Sequence, residues 1–169
     1  MKPKVLPVLF QNIPLALRTI PRWTLWNYVE VGEGETKRWS KLPIQPTGKA
    51  ASSTNASTWT DFHSVEAAYL TGKFDGIGFV FTKDDHIVGV DMDDCFDEAT
   101  NQFTNPELEA IANKLDGYME ISPSGTGVKI FTLGDIPSAF VDHSIGLEVY
   151  KMGRYFTVTG HKIRGEMPT

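Results

Sequence analysis

One segment constrains the fold more than any other: Ile87-Val-Gly-Val-Asp-Met-Asp93. It is a short, mostly apolar and β-branched run that reads as a strand. Side chains alternate along a strand, so Asp91 and Asp93, two apart, point to the same face. Two ionised carboxylates a few ångströms apart repel, and are tolerated when a cation sits between them. The run before it, Gly76-Ile-Gly-Phe-Val-Phe-Thr82, is a second strand, and the Lys83-Asp-Asp85 turn between them predicts a hairpin.

The remaining elements follow from the same punctuation. Trp23 to Val31 is aromatic and β-branched with rough alternation, hence a strand; Gly32-Glu-Gly-Glu35 is a turn, and Arg38 to Ile44 is its partner, stopped by Pro43 and Pro46. Gln45 to Asn55 is a loop. Thr58 to Leu70 places Trp59, Phe62, Val65, Ala68 and Tyr69 at helical spacing, closed by Gly72 and Gly76. Asn105-Pro-Glu starts a second helix with an N-cap and a proline at its first position, running to about Leu115. Strands are expected at Tyr118–Ser122, Val128–Leu133, Ile145–Lys151 and Arg154–Thr159. The composition shifts near Gly72, so residues 1–72 read as an N-terminal lobe and 73–169 as a sheet-rich lobe.

At 169 residues the chain is long enough to bury a real core, and 41% apolar with 22% charged residues excludes a disordered or fibrous chain. A single cysteine, Cys95, excludes an internal disulfide framework and a Cys-cluster zinc site. No apolar run is long enough to span a bilayer, and the start lacks the apolar core and cleavage site of a signal peptide. An intracellular, cytoplasmic protein without membrane partners is the expectation. The net charge of −5 is unevenly spread: residues 1–60 carry +5, residues 61–120 carry −11 and residues 121–169 carry +1. That argues against a nonspecific basic coat for nucleic acid, but is compatible with an acidic metal centre beside a basic arm.

Oxygen ligands without Cys or His clusters suit Mg²⁺ or Mn²⁺ at Asp91 and Asp93; the ordinary alternative is a solvated acidic turn, since Asp94, Asp97 and Glu98 follow. A second motif is Ser122-Pro-Ser-Gly-Thr-Gly-Val-Lys129. Gly125 and Gly127 let backbone N–H groups approach an anion, Ser124 and Thr126 add hydroxyls, and Lys129 adds a charge; an ordinary tight turn is the alternative. A third is Gly146-Leu-Glu-Val-Tyr-Lys-Met-Gly-Arg-Tyr-Phe-Thr-Val-Thr-Gly160. Glu148 is a lone carboxylate in an apolar strand, costly unless paired or metal-bound. Gly153 reads as a hairpin turn, and Arg154 and Thr159, at opposite ends of the last strand, can grip a polyanion. The alternative is a surface hairpin with Glu148 paired to Lys151.

Taken in order, Asp-x-Asp, Ser-Gly-x-Gly-x-Lys, Glu and Arg-Tyr-Phe-Thr-Val-Thr-Gly resemble the archaeo-eukaryotic primase superfamily, and more narrowly the primase-polymerase domains of phages, plasmids and other mobile elements. Trp23-x-x-Trp26, Lys41-x-Pro43, Thr47-Gly48, Ala50-Ala51-Ser52 and Trp59 are similar to the lead-in to the first acidic motif there, so the likeness runs from about Ile13 to His161. It implies an α+β fold: an RRM-like antiparallel sheet with flanking helices plus a smaller N-terminal αβ lobe. By the same resemblance Asp91, Asp93 and Glu148 hold two divalent ions, Mg²⁺ or Mn²⁺. Lys41, Ser124, Gly125, Thr126, Gly127, Lys129, Arg154, Thr159, Gly160 and His161 contact the nucleotide. The superfamily usually has His where this chain has Lys129; lysine keeps the positive charge for phosphate.

The implied reaction is template-directed nucleotidyl transfer in the replication of a mobile element, inside a bacterial or phage-infected cell. Its partners would be nucleoside triphosphates, a DNA template or primer, and a helicase domain downstream in a longer protein. Lys37 and Arg38 are the expected DNA contacts, in a basic block that also carries Trp23, Trp26 and Trp39; at least one of Trp23 and Trp26 is expected in the core. Two rivals remain: a metal-dependent nuclease built on Asp91, Glu148 and Lys151, and an RRM-like module that binds single strands on Phe79 and Phe81.

Overall fold

A computed structural model describes residues 1–168. The fold is α+β: among the described residues two antiparallel sheets carry most of the chain, with three short α-helices. The strands are β1 (Trp23–Val31), β2 (Arg38–Ile44), β3 (Gly76–Val80), β4 (Ile87–Met92), β5 (Phe96–Asp97), β6 (Gln102–Phe103), β7 (Tyr118–Ile121), β8 (Val128–Leu133), β9 (Phe140–Asp142), β10 (Leu147–Tyr150), β11 (Tyr155–Val158) and β12 (Lys162–Arg164). The helices are α1 (Leu15–Arg18), α2 (Phe62–Tyr69) and α3 (Pro106–Ala112). Both longer helices begin where their caps dictate. The Asp61 carboxylate accepts from the Ser64 amide, and the Asn105 side chain accepts from the Glu107 and Leu108 amides with Pro106 just inside. Helix α2 starts later than its apolar spacing suggests because Thr60 is held extended against Trp23.

A four-stranded sheet has the order β11-β3-β1-β2, and a six-stranded sheet has the order β12-β7-β8-β4-β10-β9. The β1–β2 pairing is as expected, but Gly76–Thr82 and Ile87–Asp93 form no hairpin: β3 lies in the first sheet and β4 in the second. Every residue of β3 is buried and both its edges are taken, by β1 and β11, so the turn at Lys83–Asp85 carries the chain across to the other sheet. Arg22 braces that crossing through Thr82 and Asp85. The segment around Gly153 is likewise a crossing, from β10 in one sheet to β11 in the other. The two crossings are stitched together at Phe81, whose N–H donates to Arg154 and whose carbonyl accepts from Gly153. The four-stranded sheet therefore takes strands from both sides of Gly72.

The inner faces of the sheets meet through aromatic rings. Phe81 stacks on Phe131 at 5.7 Å, and Phe79 and Phe156 pack edge-on around them. Gly89 on β4 makes this possible: a Cβ there would stand 2.4 Å from Phe81 and 2.5 Å from Phe156. Trp23 and Trp26 are both fully buried. Helix α3 covers part of the outer face of the six-stranded sheet through Leu108 and Ala112. No helix among the described residues is long and apolar enough to cross a membrane.

Candidate active site

Strand register builds the site. Asp91 on β4 lies directly opposite Glu148 on β10 and, on its other side, opposite Lys129 on β8; Lys129 lies opposite Glu120 on β7. Residues directly opposite in an antiparallel pair share a face, so Glu120, Lys129, Asp91 and Glu148 form a row on one face. Along β4 that same face carries Ile87, Gly89 and Asp91 in turn, so it changes from core to polar site within one strand.

Asp93 joins the row at the strand end, held by the Gly146 carbonyl, which accepts from its backbone N–H at 2.9 Å. One carboxylate oxygen from each of Asp91, Asp93 and Glu148 lies within 4.8 Å of the others. Asp91 and Glu148 are half-buried and Asp93 is exposed, yet partial desolvation of its carboxyl at the site and the adjacent Asp91 charge push the Asp93 pKa up. An all-oxygen set of crowded carboxylates, one resisting ionisation, fits a hard divalent cation such as Mg²⁺ or Mn²⁺.

Two lysines reach these acids from β8 and β2, and Arg154, just before β11, is linked to Glu148 through Tyr150. The Lys129 ammonium donates to Asp91 Oδ1 at 2.8 Å and sits 4.9 Å from the Phe156 ring centre; both charged side chains are 13% exposed. Lys41, on β2, is exposed, yet desolvation first and Lys129 second hold its ammonium below the usual lysine range, partly offset by Asp91 and Asp93. Arg154 is exposed and lies 4.7 Å over the ring of Tyr150, whose hydroxyl donates to Glu148 Oε1 at 2.9 Å.

The Ser122–Gly127 turn flanks the same end of β4 as Asp93, since the Cys95 and Phe96 amides both donate to the Thr126 carbonyl. Its glycine amides are not free to cradle an anion: Gly125 N–H donates to the Ser122 carbonyl and Gly127 N–H to Ser122 Oγ. What the turn presents is the exposed pair of hydroxyls on Ser124 and Thr126, 2.9 Å apart.

Thr159 and Gly160, expected to contact the nucleotide, are turned to another use. Both are buried, and their donors are spent on Glu120: Thr159 N–H reaches Oε2 at 2.7 Å and Gly160 N–H reaches Oε1 at 3.1 Å. The Thr159 hydroxyl donates to the Ile121 carbonyl at 2.7 Å. Gly160 has φ +72°, and a Cβ there would lie 2.0 Å from the Leu9 carbonyl oxygen. These residues tie the end of β11 to β7 and have nothing left for a nucleotide. His161 is held instead by the N-terminal segment, its Nε2 2.5 Å from the Pro7 carbonyl.

Glu120 belongs to none of the three sequence motifs. It is 0% exposed, takes a further hydrogen bond from the Tyr118 hydroxyl at 2.9 Å, and burial pushes its pKa up to about 7 against the pull of those donors. The signal was available: a lone carboxylate in Tyr118-Met-Glu-Ile121 is the same anomaly that marks Glu148. Both rivals lose their residues. Lys151 pairs with Asp135, not Glu148, and Phe79 and Phe81 are buried in the core. Lys37 pairs with Glu30 at 2.7 Å across the β1–β2 ribbon, while Arg38 is exposed.

No family model matches the chain. In an alignment of 157 positions that covers 89% of its length, it is 34% identical to the DNA primase-polymerase of Nitratiruptor phage NrS-1. The chain spans about one fifth of that protein's length, the aligned part being 20% of it.

Proposed function

The chain carries a domain of the primase-polymerase type, and from that premise we propose that it transfers nucleotidyl units to a 3′-hydroxyl on a DNA template, in the replication of a phage or a similar mobile element. The observation that carries the proposal is the register-locked row Lys129–Asp91–Glu148, with Asp93 closing an all-carboxylate cluster at its open end.

Asp91, Asp93 and Glu148 are the residues that would hold divalent ions, two in the proposed mechanism. Such ions supply charge to the attacking and leaving oxygens and lower the pKa of the attacking hydroxyl. The chain's own cations do the rest. Lys129, bonded to Asp91, and Arg154, on the ring of the Tyr150 that holds Glu148, neutralise the triphosphate together with Lys41 on β2. Ser124 and Thr126 add neutral hydroxyl donors at the rim. Aromatic packing under Lys129 and Arg154 fixes two of these charges before substrate arrives, which lowers the ordering cost of binding.

The test is incubation with a primed template, nucleotides and Mn²⁺, for wild type and for Asp93→Asn. Primer extension by wild type, lost in the variant, is expected. Degradation of the primer would restore a nuclease, and retardation without chemistry would leave a binding module.

A further inference from the structure

Tyr150 occupies a position that neither the metal-ligand set nor the phosphate-binding set includes. It follows Glu148 by two residues on β10, so the two side chains share a face, and its backbone is locked opposite Gly89 on β4. The ring is fixed as core: Tyr150 is 7% exposed and meets the Phe156 ring edge-on at 6.3 Å. From that fixed ring two functional groups are held. At one end the hydroxyl donates to Glu148 Oε1 at 2.9 Å. Across its face lies the Arg154 guanidinium, 4.7 Å from the ring centre.

Resting on the reading of the acids as a metal site, we propose that Tyr150 is a positioning residue that fixes a metal-binding carboxylate and a phosphate-binding guanidinium on one rigid post. A glutamate side chain has three freely turning torsions, and a free Glu148 would sample many orientations. The phenol hydrogen fastens Oε1 and so limits how the Glu148 carboxylate, which has an oxygen within 4.8 Å of oxygens of Asp91 and Asp93, can turn. Outer hydrogen bonds of this kind set the orientation of metal-binding carboxylates, and their loss weakens metal binding by about ten- to a hundredfold.

The arrangement at Arg154 has its own logic. Among the described residues Arg154 makes no ion pair, so its charge is not neutralised before substrate arrives. A π face can hold a guanidinium in place by cation–π attraction while leaving its N–H edge for phosphate. An acid in the same place would hold the arginine equally well but cancel the charge that the nucleotide needs.

Two variants separate the halves of the proposal. Tyr150→Phe keeps the ring and removes the hydroxyl; Tyr150→Leu removes both. Mn²⁺ binding to the nucleotide-free protein is measured by calorimetry, nucleotide binding at saturating Mn²⁺, and melting in EDTA. Tyr150→Phe should bind Mn²⁺ roughly tenfold more weakly, bind nucleotide at saturating Mn²⁺ nearly as wild type, and melt close to wild type in EDTA. Tyr150→Leu should lose nucleotide affinity as well; Tyr150→Met serves if the leucine variant does not fold. Unchanged Mn²⁺ affinity in Tyr150→Phe, with wild type binding Mn²⁺ normally, overturns the proposal and leaves the metal site standing. Lower melting with unchanged Mn²⁺ affinity makes Tyr150 a core residue only. A wild-type protein that binds no Mn²⁺ overturns the metal site itself.

Discussion

Replacing Lys129 with alanine should move metal binding and nucleotide binding in opposite directions. In the structure the Lys129 ammonium stands 2.8 Å from Asp91 Oδ1, with both side chains largely withdrawn from solvent. It is the nearest counter-charge to a cluster whose carboxylate oxygens lie within 4.8 Å of one another. Two unit charges about 5 Å apart interact by about 3 kcal/mol at an effective dielectric of about 20. The open end of the site and salt screening reduce that to roughly 1.5 kcal/mol, about tenfold in affinity. Mn²⁺ alone should therefore bind Lys129→Ala about tenfold more tightly, because a competing cation has gone. The triphosphate loses a charge-assisted contact and should bind about ten- to a hundredfold more weakly at saturating Mn²⁺. Without metal, the uncompensated acids should cost about 2 kcal/mol, lowering the melting temperature by about 4–8 °C in EDTA, and Mn²⁺ should restore it. Calorimetry with metal and then nucleotide, together with melts, reads all three quantities. Parallel weakening of Mn²⁺ and nucleotide, with an unchanged melt in EDTA, would refute the counter-charge role and make Lys129 a prop for Asp91.

Asp93→Ala should abolish nucleotide incorporation and raise the melting temperature of the metal-free protein, since it relieves repulsion by Asp91 and Glu148; Asp91→Ala should abolish incorporation without that gain, because it strands Lys129. Glu120 should make the fold pH-sensitive: its folded pKa, raised to about 7 from 4.5, means that the native state holds a proton the unfolded chain releases. Stability from this group is therefore complete below about pH 4.5 and is lost as pH rises towards 7, and Glu120→Gln should flatten that slope in melts at graded pH. Lys37→Glu with Arg38→Glu should weaken single-stranded DNA binding and reduce its salt slope by about two, as fluorescence anisotropy would read, with nucleotide affinity near wild type.

The acids were legible because a strand has a period of two and apolar strands do not carry free carboxylates. Asp91 and Asp93 share the face that their spacing demands, and Glu148 falls directly opposite Asp91. Strand β8 has the bounds its sequence suggests, Val128 to Leu133. The crossings between sheets were not legible. A three-residue polar turn looks the same whether the chain reverses within a sheet or leaves it, and the outcome here rests on β1 and β11 occupying both edges of β3. Those pairings join residues far apart in sequence. Thr159 and Gly160 misled for a related reason: their polar groups looked available until the fold brought Glu120 against them from β7. Burial of Glu120 is a product of both sheets together, and no window of sequence contains it.

In the proposed reaction Asp91, Asp93 and Glu148 hold the metal at the point of nucleotidyl transfer. Anomalous diffraction from crystals grown with Mn²⁺ and a non-hydrolysable nucleoside triphosphate tests it most directly. Manganese peaks bound by oxygens of all three carboxylates are expected, with the triphosphate between them and Lys129 and Arg154. Manganese bound elsewhere, or a triphosphate seated away from these acids, would contradict it.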